Sequence, residues 1–100
     1  MATMIRHIAM LTLRHDTDAA EVEHLVDELR ALPALIAEIA AYEVGVDLQL
    51  ADGNATVAVV ADFDDARAWS VYRSHPAHVR VISEVLTPVL ESRTALQFER

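Results

Sequence analysis

The spacing of apolar residues switches between a period of about two and a period of about 3.6 along this chain, and the order of the switches limits the fold more than any other feature. From Met4 to Arg14, the residues Ile5, His7, Ala9, Leu11 and Leu13 fall on one side, while Arg6, Ile8, Met10 and Thr12 fall on the other. Alternation with apolar residues on both sides predicts a strand covered on both faces. Asp16-Thr17-Asp18 stops the pattern, and Asp18 with Glu21 three residues later predicts a capping box. Val22, Leu25, Val26, Leu29 and Leu32 then recur at helical spacing, with Glu23, Asp27, Glu28 and Arg30 outside. Pro33 ends or kinks that helix, and residues 34–40 read as a short continuation packed through Leu35, Ile36 and Ile39.

The second half repeats the theme. Tyr42 to Leu50 reads as a strand, with Gly45 as a bulge or close approach. Asp52-Gly53 is a turn signal, so the strand Ala55 to Phe63 should return antiparallel as a hairpin. Asp64 or Asp65 caps a helix from Ala66 to about Ser74, which Pro76 breaks. Ala77 to Leu90 is a further helix, and Arg93 to Phe98 a last strand. The order β-α-β-β-α-β is that of an α+β, ferredoxin-like fold, in which a four-stranded antiparallel sheet carries its helices on one face. Residues 1–100 read as one domain of this kind. The opposite sheet face would be bare and apolar, and pairing two such faces closes a dimeric α/β barrel, so a symmetric homodimer is expected. The 17 alanines and 12 valines agree, because small side chains fill a core of 100 residues sparingly.

Composition excludes several functions. Eight dispersed arginines and no lysine against 16 carboxylates leave a formal charge of −8, which argues against a nucleic-acid partner. The absence of cysteine removes disulfides, thiolate nucleophiles and Cys-built zinc sites. A membrane span needs about 20 consecutive apolar residues. Charges interrupt every run well before that, and Ile8 to Leu13 is too short for a signal peptide, so a soluble cytoplasmic protein without a membrane partner is expected. With Gly45 and Gly53 as its two glycines, the chain has no glycine-rich phosphate loop, and no serine sits in a Gly-x-Ser-x-Gly elbow. His75 and His78 lack a carboxylate at a spacing that would complete a metal site, so no metal is expected.

Histidine and tyrosine remain as the chemical groups. His7 lies in mid-strand, and His75-Pro76-Ala77-His78 sits where one helix breaks and another begins, one turn after Tyr72. If the first strand runs beneath that junction, His7, Tyr72 and His78 converge. Histidine moves a proton near neutral pH, and a tyrosine hydroxyl can hold an oxygen that gains negative charge. Plainer readings stand beside this one. Taken alone, His7 reads more readily as a satisfied core residue, Tyr72 by default as a packed aromatic, and His75 more readily as a cation on the negative end of a helix dipole. His15 and His24 read as loop and surface residues.

Arg6-His7-Ile8, Leu29-Arg30-Ala31-Leu32-Pro33, Tyr42-Glu43-Val44-Gly45-Val46-Asp47, Ala61-Asp62-Phe63-Asp64 and Tyr72-Arg73-Ser74-His75-Pro76-Ala77-His78-Val79 together resemble the stress-responsive A/B barrel domain (Dabb) family of dimeric α/β barrels. The resemblance spans nearly the whole chain, and the His-Pro-x-His element is its most specific piece. A plant relative is a polyketide cyclase that makes olivetolic acid without metal or organic cofactor. By motif, the resemblance implies His78 as general base, Tyr72 as the donor to a developing oxyanion and His7 as a pocket residue, in an aldol-type ring closure. It also implies a pocket between sheet and helices, lined by Ala9, Leu11, Leu25, Val59, Trp69 and Val81. Three expectations follow: a barrel that binds a small, largely apolar molecule, a cofactor-free cyclase or lyase, and a structural dimer with no cavity.

Overall fold

The computed structural model describes residues 3–100. Strands β1 (Ile5–Leu13), β2 (Ile39–Val46), β3 (Val57–Phe63) and β4 (Leu90–Glu99) form one antiparallel four-stranded sheet in the order β2-β3-β1-β4. Helices α1 (Ala19–Arg30), α2 (Leu32–Leu35), α3 (Ala66–Ser74) and α4 (Pro76–Arg80) connect them on one face. α4 runs on into a π-helical stretch, Val81–Leu86, and a 3-10 turn, Thr87–Val89. The fold is α+β and ferredoxin-like.

Local chemistry accounts for most of the boundaries. Asp18 accepts the Glu21 N–H at 2.8 Å while the Glu21 carboxylate accepts the Asp18 N–H at 3.2 Å, closing the capping box that starts α1. Leu25, Val26 and Leu29 form the stripe that α1 buries. Asp65, not Asp64, caps α3 by accepting the Ala68 N–H at 2.8 Å. Leu25, Leu32, Ile36, Phe63, Val81 and Leu86 form the centre of the core between helices and sheet.

Three expectations are corrected in the middle of the chain. The helical continuation after Pro33 stops at Leu35, which is 60% exposed. Pro33 lies in the first turn of α2, and buried Leu32 and Ile36 turn the chain straight into β2 at Ile39. The irregularity of β2 lies between Ile39 and Ala41, whereas open space surrounds the missing Cβ of Gly45, so Gly45 is neither a bulge nor a close approach. β2 ends at Val46, and residues 47–56 make a loop instead of a tight hairpin. Asp47 organises the loop by accepting the Gln49 N–H at 3.0 Å and the Asn54 side-chain amide at 3.2 Å. Asp52-Gly53 makes its turn inside that loop, with Gly53 at φ 81°.

The far face of the sheet carries no helix. Ile8 and Met10 of β1, Ala58 and Val60 of β3, and Leu96 and Phe98 of β4 share it, as their register requires. Met10, Leu96 and Phe98 are 45%, 50% and 42% exposed, so β1 is covered on one face and not on both. At one end of this apolar stripe, Asp62 accepts from Arg6 at 2.9 and 3.0 Å and from Arg100 at 2.8 Å. The two guanidiniums cover the carboxylate almost completely. The hydrogen bonds from Arg6 hold the Asp62 carboxyl below its ordinary pKa.

Candidate functional site

One row of the sheet underlies the site. Tyr42 stands opposite Ala61, Ala61 opposite His7, and His7 opposite Gln97, all on the helical side. Residues directly opposite in antiparallel strands project to the same face. Ala61 is fully buried, and its short side chain leaves room above the sheet for the ring of Tyr72. That ring lies 6.3 Å from Tyr42, 6.1 Å from His7 and 4.3 Å from His78, centre to centre. The hydroxyls of Tyr42 and Tyr72 are 3.3 Å apart, and either can donate to the other.

In the next row Ala9 faces Ala95, and beyond it Leu11 faces Arg93. The paired alanines leave a hollow of about 240 Å³ between sheet and helices. β1 and β3 supply its floor through His7, Ala9, Leu11 and Val59, and α3 supplies Trp69, Tyr72 and Arg73 as a wall. His78, Ile82 and Leu86 close it from above, with Leu29 of α1 at the back. β4 contributes Arg93, Ala95 and Gln97, all solvent-exposed, so the hollow opens at that edge of the sheet.

The two histidines on the cavity are held in different tautomers. His78 donates Nδ1–H to the Arg73 carbonyl at 3.1 Å, which leaves Nε2 as an acceptor when the ring is neutral. His7 accepts the Gln97 amide on Nδ1 at 2.9 Å, which leaves Nε2–H as a donor. Burial pushes the pKa of both rings below the ordinary value. The charge of Arg93 pushes both the same way, while the backbone bond opposes it at His78. Burial raises the Tyr72 pKa, so its hydroxyl keeps its proton at neutral pH.

His75 takes a role of its own. Its Nδ1 accepts the Ala77 N–H at 3.1 Å and caps the start of α4, with Pro76 as the first helical residue. His75 thus serves as the acceptor that caps the N-terminus of α4. Within the motif, His75 builds the junction and His78 faces the hollow.

His7, Ala9, Leu11, Val59, Trp69, Tyr72 and His78 therefore meet on one cavity, and Leu25 and Val81 do not. Leu25 is fully buried and Val81 is 1% exposed, both in the core beside the hollow. In the π-helical stretch the Thr87 N–H reaches back five residues to the Ile82 carbonyl, and it is Ile82 and Leu86 that reach the cavity. Arg73, Arg93, Gln97 and the Tyr42 partner of Tyr72 were not legible as site residues. The signal for Gln97 and Arg93 lies in the pairing of β4 with β1, which sets them beside His7 and Leu11.

Among the described residues, no three His, Asp or Glu side chains gather as metal ligands would, and no helix is long and apolar enough to cross a membrane. The architecture recurs in solved structures. A dimeric ferredoxin-like protein of unknown function from Thermobifida fusca YX is 37% identical, with a TM-score of 0.90 over 99% of this chain and 92% of its own. A dimeric protein of unknown function and ferredoxin-like fold from Bacteroides fragilis NCTC 9343 is 29% identical, with a TM-score of 0.86 over 97% and 96%. The hydroxynitrile lyase of Passiflora edulis superposes with a TM-score of 0.87 over 100% and 95%, and at 15% identity it shares the fold alone. No curated protein matches the sequence. The sequence profile of the Stress responsive A/B Barrel Domain covers residues 5–100, and the chain belongs to that family.

Proposed function

We propose that this A/B barrel protein is a homodimer in which each protomer binds a small, largely apolar molecule in the hollow between sheet and helices. The observation that carries the reading is the cavity's mixed lining. An apolar floor of Ala9, Leu11 and Val59 meets three polar side chains held by hydrogen bonds: His78 to the Arg73 carbonyl, His7 to the Gln97 amide, and Tyr72 to the Tyr42 hydroxyl. Few oriented polar groups on an apolar wall are what fixes a small ligand's pose. An apolar cavity of about 150 Å³ holds one benzene, so about 240 Å³ has room for a substituted ring or short branched acyl group. Two dimeric relatives and the bare apolar face of the sheet support the dimer. A mass near twice 11.0 kDa by sedimentation is expected, and one near 11.0 kDa refutes the dimer. In a ligand screen by calorimetry, His78→Ala and Tyr72→Phe should each weaken binding about tenfold. Equal binding by both variants and the wild type removes these residues from the site.

A second reading, a cofactor-independent cyclase or lyase, is favoured by the bond from His78 to the Arg73 carbonyl, which keeps Nε2 unprotonated and aimed. Nε2 would take a proton from carbon beside a carbonyl, and the carbanion would attack a second carbonyl within the same molecule. Tyr72 O–H would hold the oxygen that gains charge, and the proton on His78 would return to it. Turnover of a short poly-β-keto thioester, lost in His78→Ala and Tyr72→Phe at unchanged Tm, supports this reading. Turnover surviving in both variants refutes it.

A further inference from the structure

We infer that the cavity takes its ligand as an anion, a small apolar carboxylate met by Arg93 at the β4 edge and Arg73 on the α3 wall. The inference rests on the reading of the hollow as a binding site and adds the charge of what enters it. Its basis is the distribution of charge over the molecule. Arg6 and Arg100 are paired with Asp62, Arg14 with Asp16, and Arg80 with Glu28 and Glu84. Arg30 donates to the Val44 carbonyl. Arg67, Arg73 and Arg93 remain with neither a carboxylate nor a side-chain hydrogen bond among the described residues, and two of these three line the cavity. No Asp or Glu lines it, in a chain that carries 16 of them.

Both guanidiniums are set for the task. Arg73 lies over the ring of Trp69, 5.6 Å from its centre, which holds the side chain along the cavity wall. Arg93 projects from β4 on the cavity side, beside Leu11, where no helix covers the sheet. Its charge is felt at both His7 and His78. The histidines themselves are neutral at neutral pH, so the arginines supply the positive potential. A guanidinium fork matches a carboxylate with two parallel hydrogen bonds, which a neutral amide cannot copy. With a formal charge of −8, the molecule as a whole repels anions, so uptake of one depends on these local cations. The apolar part of the ligand would lie on Ala9, Ala95 and Val59.

Trp69 is the single tryptophan and lines the cavity, so its fluorescence reports occupancy. Phenylacetate and phenylacetamide are titrated into the full-length protein at neutral pH and low salt, with calorimetry as a second readout. Phenylacetate should bind about tenfold tighter than the amide. Added sodium chloride should shrink that preference, and Arg93→Gln or Arg73→Gln should reduce it by weakening phenylacetate binding more than amide binding. Equal affinity for the two, or tighter binding of the amide, overturns the anion inference and leaves the cavity reading intact. A preference that survives in both arginine variants overturns the assignment to Arg93 and Arg73. Silence of both probes in both readouts overturns the anion inference together with the reading it rests on.

Discussion

Ala61 and Ala95 do as much for the cavity as the groups that bear its chemistry. Ala61 makes room for the Tyr72 ring, and Ala95 beside Ala9 keeps the hollow open. Ala95→Leu should close it from an exposed edge strand, abolishing phenylacetate binding while changing stability by less than about 0.5 kcal/mol. Retained binding in that variant, by calorimetry, contradicts the placement of the ligand. His7 and His78 give a pH signature. Their folded pKa values lie below the ordinary 6.5, so between the folded values and 6.5 the unfolded chain binds more protons. Their contribution is complete above pH 6.5 and declines as pH falls toward the folded values. The urea midpoint should therefore drop from pH 7.5 to 5.5, and His7→Gln with His78→Gln should flatten the slope. A midpoint that rises over that interval has the wrong sign. Asp62 acts in a separate window. Its lowered pKa stabilises the fold above its ordinary 3.8, and that stabilisation is lost as pH falls through the folded value.

Elements explain how much was legible. The period of the apolar residues survives burial, so β1, α1, β3 and α3 lie where the pattern put them. The capping box makes this testable: Asp18→Ala should destabilise by about 1 kcal/mol, read as a lower urea midpoint at unchanged m. β2 was displaced because Leu48 and Leu50 alternate like strand residues yet find no partner, and stand 79% and 85% exposed. Pairing with β3 decides that strand, and pairing is invisible in a local pattern. The site divides in the same way. Tyr72, His78 and His7 could be named from one short motif and one strand position. Gln97 reaches His7 only through pairing across 90 residues. Leu25 and Val81 belong to the right elements but face the core, since helix orientation and the π-helical stretch choose which residues meet the hollow.

At the scale of the whole molecule, the bare sheet face is the surface through which the proposed dimer would form. Ile8, Met10, Val60, Leu96 and Phe98 form an apolar stripe that a second copy would cover, with the Asp62 cluster at its end. Leu96→Asp should leave secondary structure intact by circular dichroism and shift the sedimenting species toward 11.0 kDa. A dimer that persists in this variant locates the interface elsewhere.

β1 has one further consequence. Its odd residues His7, Ala9 and Leu11 line the hollow, while its even residues Ile8 and Met10 look out from the bare face. One backbone thus serves two surfaces that never share a side chain. On the proposed readings, substitution at an odd position would retune what the hollow binds without disturbing how two copies associate, and the reverse is equally true. Insertion or loss of a single residue within the strand exchanges the two sets at a stroke. Change by replacement is therefore separable in this segment, and change in its length is not.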